Sequence, residues 1–311
     1  MASITSDTLV RPIEDVRKEM DLVGYDDTPF TSKYTAKGTT TQKLHEWLED
    51  VRRAPNLNNA HAEGESFTDN NFGQPSMASN VTQIFHQVVN IAATTDATAV
   101  HGRPTESQRQ KALSYDAMKR ELEATLLSGQ AMVASGTRKL ASAQALINAS
   151  NSYATGGAAT APTYDQVKLI GRQGKKKGQK YPIVLVPIDD GDIPGTFVKD
   201  TSFVRQIPNS GKDSEIATDV VTIVKTPTNL HNFIMDDFVL ATDWLFTTEK
   251  AVTLKNLKGR SWTLTKLAKT SDGERYALVG EYTLSLSNSY AAAFLRKVTG
   301  VVGGDGIRRI A

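Results

Sequence analysis

The chain has no cysteine among its 311 residues, which excludes disulfide staples and thiolate chemistry and fits a reducing compartment. It has no run of about 18 apolar residues, so no segment is suited to cross a bilayer as a helix. The opening MASITSDTLVRPIEDVRKEM lacks the apolar stretch of a secretory signal. Neither sign of charge dominates: 36 Lys and Arg face 34 Asp and Glu, for a net charge of +2. A protein that grips nucleic acid through its phosphates carries a stronger basic excess. What is present is a hydrophobic content of 39% with a mean hydropathy of −0.34, enough for a real core in a soluble protein. A chain of this length holds one large domain or two ordinary ones.

Signatures of chemistry are missing as well. The five histidines are His45, His61, His86, His101 and His231, and no two stand at zinc-ligand spacing. His45 and Glu46 open like a metalloprotease helix, but Glu49 stands where the second histidine is needed. Gly171 and Gly174 precede Lys175–Lys177 without the Gly-Lys-Ser/Thr of a phosphate loop, and these lysines read as a solvated face. No Gly-x-Ser-x-Gly elbow occurs. Asp189, Asp190 and Asp192 lack calcium-loop spacing and its closing Glu, so they read as a turn. The expectation is therefore no catalytic residue, no cofactor and no metal. An unfamiliar hydrolase using Glu46 or Asp189 is the rival from another class, and it has no defensible nucleophile–base pair.

The chain divides by texture into an α+β protein, with helices and strands not strictly alternating. Residues up to Ser32 are polar and broken by Pro12, Gly24 and Pro29, as in an arm. From Tyr34 to Ser79 apolar residues are sparse: Leu44, Trp47, Leu48, Val51, Leu57, Phe67 and Phe72. So long a stretch with so little to bury reads as an excursion, a long hairpin whose large side chains need a partner elsewhere. Trp47 argues against plain disorder.

Beyond it, Val81, Phe85, Val89 and Ile91 share one strand parity. A helix is expected over about 105–133. Pro104 precedes it, Thr105 and Gln108 match a capping box, and Glu106 suits the first turn. Its stripe is Tyr115, Met118, Leu122, Leu126, Gly129 and Val133, with Glu121 and Glu123 beside Lys119 and Arg120 on the solvent side. Gly156, Gly157 and Pro162 mark a junction, and Tyr164–Lys177 suits a short helix. YPIVLVP reads as a strand buried on both faces and DDGDIPG as a turn; VVTIV, FIMDDFVL and SWTLTKL read as further strands. In ERYALVGEYTLSLSN, Tyr276, Leu278, Tyr282, Leu284 and Leu286 share one face. SYAAAFLRKV suits a closing helix, and GGDGIRRIA a loose tail.

Four phrases in order carry a resemblance: HEWLEDVRRAPNLNNAHAEGE, NVTQIFHQVVNIAATTDATAVHGRPTESQRQKA, KRELEATLLSGQ and LAKTSDGERYALVGEYTLSLSN. Together, over residues 40–135 and 265–290, they resemble the major capsid proteins of short-tailed and related phages, which have the Johnson or Hong Kong 97-like fold. The resemblance implies an N-terminal arm (1–33), an extended loop that reaches over a neighbouring subunit (34–79), and a peripheral domain with a long spine helix (80–155). It further implies an axial domain at the centre of each subunit ring (156–250) and a return to the peripheral domain with a C-terminal tail (251–311). Leu44, Trp47, Leu48 and Glu63 become expected inter-subunit contacts. The implied function is self-assembly into hexamers and pentamers of an icosahedral head enclosing double-stranded DNA. The implied partners are the chain itself, then portal, scaffold and decoration proteins, with weak nonspecific contact to packaged DNA and no membrane. The implied place is the virion, assembled in the bacterial host cytoplasm. The nearer rival is another virion component, a decoration or tail-ring protein.

Overall fold

The computed structural model describes residues 27–66, 73–98, 105–157, 160–199, 223–249, 251–269, 272–303 and 307–310. Most of the N-terminal arm, with Pro12 and Gly24, therefore lies outside the described residues, as do Phe67, Phe72, His101 and Pro104.

The long helix runs Glu106–Leu127. Its expected stripe is real at Met118, Leu122 and Leu126, all buried, and Leu127 is buried beside them. Both ends differ from expectation. Thr105 makes no side-chain cap bond. The acceptor comes instead from the short helix Ala93–Ala97, whose Asp96 Oδ1 takes the Ser107 N–H at 3.0 Å. An intrinsic cap contributes ~1 kcal/mol, less than the ~1.5–3 kcal/mol from burying each Leu or Met of the stripe, so packing decides how the helix starts. At the other end Gly129 takes φ +73, the left-handed turn that stops helices at glycine. Gly129 and Val133 are thus not helical, and Val133 forms a single bridge with Lys139.

The helix lies on a five-stranded sheet. Strand Gly273–Leu286 is its centre, pairing antiparallel with Gln83–Ala92 on one edge and with Val252–Leu257 and Thr263–Lys266 on the other. Phe85, Met118, Leu122, Leu126, Leu278 and Leu284 meet in its core. The expected parity holds for Phe85, Val89 and Ile91, which are buried, while Ile84 and Val88 are exposed. In the long strand, Glu281, Thr283 and Ser285 are buried too, and the loop before residue 142 reaches Glu281. Arg138 Nη2 donates to Glu281 Oε1 at 2.8 Å, and Ala141 N donates to Asn80 Oδ1 at 2.8 Å.

The excursion leaves this body later than expected. Ala36–Thr40 is a parallel partner of Val252–Leu257, so only the residues after Thr40 depart. Just before that strand, Phe30 is fully buried in the first core.

A second sheet has eight strands, in the order Val301–Val302, Arg308–Arg309, Ser152–Ala154, Ala293–Arg296, Asp243–Thr247, Ile183–Val186, Leu230–Met235 and Ile223–Lys225. Ile183–Val186 is buried throughout, as its unbroken apolar run predicts. Helix Tyr164–Lys176 covers this sheet and opens with a true capping box between Thr163 and Gln166. Gly174 is needed there, because a Cβ would come within 2.4 Å of the Tyr181 ring. The DDGDIPG segment is a turn only in its first half: a 3-10 turn, Ile188–Asp190, leads into the short helix Ile193–Lys199, which begins within the segment.

Two C-terminal expectations are corrected. SYAAAFLRKV does not form a helix; Ala293–Arg296 is an inner strand between Ser152–Ala154 and Asp243–Thr247. GGDGIRRIA is not loose where described: Ile307 is buried and Arg309 pairs with Tyr153. The chain after residue 292 therefore completes the second sheet and does not return to the first. In both cases the partner strands lie far away in sequence, and their pairing overrides local preference.

Candidate assembly surfaces

The side chains with chemical potential are occupied by structural tasks. His231 is fully buried, with Nδ1 2.7 Å from the Tyr181 carbonyl and Nε2 3.2 Å from Thr226 Oγ1, and burial lowers its pKa. His45 stands 2.8 Å from Lys255 Nζ; burial first, then the lysine's charge, lowers its pKa, so it is the acceptor. Asp190 accepts from Trp244 Nε1 at 2.7 Å and from Lys297 Nζ at 2.5 Å. Among the described residues no three His, Cys, Asp or Glu side chains are grouped to hold a metal ion.

What does stand out is surface. The excursion begins as a two-stranded hairpin, Leu44–Glu49 antiparallel to Ser76–Val81. Register places Leu44 opposite Val81 and Leu48 opposite Met77. Leu44 is 38% exposed, Leu48 67% and Met77 65%, so one face presents an apolar pair to solvent. Trp47 has the opposite parity and is half-buried. It stacks on His45 at 5.6 Å and donates from Nε1 to Glu49 Oε1 at 3.1 Å. It belongs to neither core. Farther out the described chain has no regular structure; Val51, Leu57 and Glu63 are all exposed there, Leu57 at 96%. The four expected contact residues therefore share one limb but not one face. Leu44 and Leu48 lie on the open side, Trp47 on the side where it has local partners, and Glu63 on the outer loop.

One buried site escaped the sequence reading altogether. Glu123, expected on the solvent side, is fully buried. Its two carboxyl oxygens accept the N–H groups of Phe30 at 2.7 Å and Thr31 at 2.9 Å, tying the start of the described chain to the long helix. Burial pushes its pKa up to about 8, and Asp236 nearby adds to the rise. Asp236, also fully buried, is raised to about 6, again chiefly by burial. A signal for Glu123 existed: Leu127 follows it by four residues, and adjacent Leu126 and Leu127 widen the apolar stripe to include it. Lys119 and Glu121 do face solvent, as expected.

Comparison with known proteins gives a consistent pattern. A model of the family described as SU10 major capsid protein matches residues 2–299. The major capsid protein of Escherichia phage Phieco32 is 40% identical over 105 residues, which cover 34% of this chain and 30% of that protein. The match thus spans under a third of that relative's length. Among solved structures, the capsid asymmetric unit of cyanophage A-1(L) superposes with a TM-score of 0.66 at 12% identity, covering 95% of this chain and 98% of that one. The SrpI encapsulin complex of Synechococcus elongatus PCC 7942 gives 0.61 at 12% identity, covering 92% and 93%. At such identities the likeness is one of fold, and the fold is the Hong Kong 97-like one of phage capsids, α+β in class.

Proposed function

The chain belongs to the SU10 major capsid protein family, and from that premise we propose that it is the shell-forming subunit of a phage head, assembling into hexamers and pentamers around double-stranded DNA. The observation that carries the reading is the hairpin: a paired, ordered limb whose Leu48–Met77 face is open to solvent and whose aromatic joins neither core. A limb of that kind is stabilised by a neighbour. Leu44, Trp47, Leu48 and Glu63 are then the contacts made when it lies over the next subunit.

In this reading the five-stranded sheet with the spine helix is the peripheral domain. The eight-stranded sheet is the axial domain, enlarged by the strands after residue 292. The extended loop is the chain from residue 41 to residue 79. The protein works by packing, with no catalytic step. It resides in the virion and assembles in the host cytoplasm, with portal, scaffold and decoration proteins as its further partners and only weak contact with DNA.

Electron microscopy of the expressed protein tests this. Closed shells built from rings of six and five are expected, since stable contacts of more than ~1,000 Å² can form on several sides of each copy. Rings of a single order that never close into shells would favour a tail-ring component. A monomer that stays monomeric as concentration rises would sink the proposal.

A further inference from the structure

The two ends of the second sheet carry opposite charge. Ile183–Val186 and Leu230–Met235 run parallel, so they begin together and end together. Where they begin, Lys175, Lys176, Lys177 and Lys180 are exposed at the end of helix Tyr164–Lys176 and in the turn after it, and Lys225 is exposed opposite Leu230. Glu249, following strand Asp243–Thr247, is an exposed acid on that side. Where the strands finish, Asp189, Asp192 and Asp237 are exposed. Asp189 and Asp237 flank a groove of about 420 Å³ whose wall includes Pro187, Ile188 and Leu240. Ile188 and Leu240 are 41% and 36% exposed. Among the described residues, two cations near that end are committed internally, Lys297 to Asp190 and Arg296 to Asp243. The groove therefore combines an apolar wall with an acidic rim, whose Asp189 and Asp237 pair with no cation among the described residues.

We infer that these two ends are complementary halves of one contact between neighbouring copies: the lysine-rich end of one axial domain seats on the acidic groove of the next. This deepens the shell reading and rests on it. The argument is geometric. The two patches face opposite ways along the same strands, so one copy cannot bring them together. Two copies can, head to tail, and the contact repeats until the ring closes. Like-charged ends repel when two copies meet in the wrong direction, so the pattern also sets the sense of the ring.

Charge exchange is the test. Lys175→Glu/Lys176→Glu is one variant, Asp189→Lys/Asp237→Lys the second, and all four changes in one chain the third. Every substituted side chain is exposed, so each variant is expected to match the parent in circular dichroism and melting temperature. Each two-site variant should lower shell yield by about tenfold or more, because like charges then meet in every ring. The four-site variant should recover most of that loss. Mixing the two defective variants should restore rings of six, where they alternate, but not rings of five, where two identical copies must meet.

Two-site variants that fold and assemble at the parental yield would overturn the inference while leaving the shell reading intact. So would a four-site variant no better than either. Lysine variants that build normal shells but hold less DNA would assign that end to the genome instead. A parent that never associates would overturn the shell reading, and the inference with it.

Discussion

The spine helix and the hairpin contain the same kinds of side chain and use them in opposite ways. Leu122 is 4% exposed; Leu48 is 67% exposed. Leu122 lies in a core shared with Phe85, Leu278 and Leu284, whereas Leu48 faces Met77 across two strands and both side chains are mostly exposed. The helix completes its hydrophobic burial inside one chain, and the hairpin does not. In the proposed shell a subunit would then fold before it assembles, and the apolar area left on the limb would drive association. The difference also predicts which mutations act on folding and which on assembly.

The largest effect should come from breaking the self-sufficient side of that comparison. Leu122→Ala removes a side chain from a closed core and should cost ~2–5 kcal/mol, leaving mostly insoluble protein. Equal melting temperatures for variant and parent would show that the helix is not packed as described.

The tie between arm and helix should respond to pH. Glu123 has a folded pKa of about 8, above its ordinary value of 4.5, so the folded state holds a proton that the unfolded state has released. Asp236, at about 6, behaves likewise. Their contribution to stability is then fully present below the ordinary carboxyl range and is lost as pH rises from about 4.5 to about 8. Because each pKa unit is worth ~1.4 kcal/mol, the loss should be readily measured by denaturant unfolding across that window. Glu123→Gln removes its share of the slope and should flatten the curve. A variant curve parallel to the parent's would mean that Glu123 does not titrate there.

On the other side of the comparison, Trp47→Ala should leave the subunit folded, since Trp47 joins neither core. It should impair shells, because each such side chain buried on assembly contributes ~1.5–3 kcal/mol and recurs at every copy. Leu48→Asp should do the same through the opposite face of the hairpin. Circular dichroism with particle counts separates the outcomes: an unfolded variant places the residue in the body, and normal shell yield removes the limb from the interface.

The smallest effect concerns the genome. With a net charge of +2, the free protein should bind duplex DNA weakly and with a shallow salt slope. Tight binding with a steep slope would give the lysines near Lys176 a dedicated role on DNA.

Much of this was legible in local pattern. The alternation of Phe85, Val89 and Ile91, the stripe through Met118, Leu122 and Leu126, the unbroken Ile183–Val186 and the sparse apolar content of the excursion all depend on periods of a few residues. The backbone geometry of strands and helices imposes those periods wherever they occur. Only the tertiary structure decided that Asp96 would cap the helix, that Ala293–Arg296 would be a strand, and that Glu123 would be buried against Phe30 and Thr31. It alone set the lysines and the acidic groove at opposite ends of two parallel strands. The burial of Glu123 and the pairing of Ala293–Arg296 depend on groups distant in the chain, and the cap on an acceptor from outside the helix itself, so the period of one helix or strand does not reveal them.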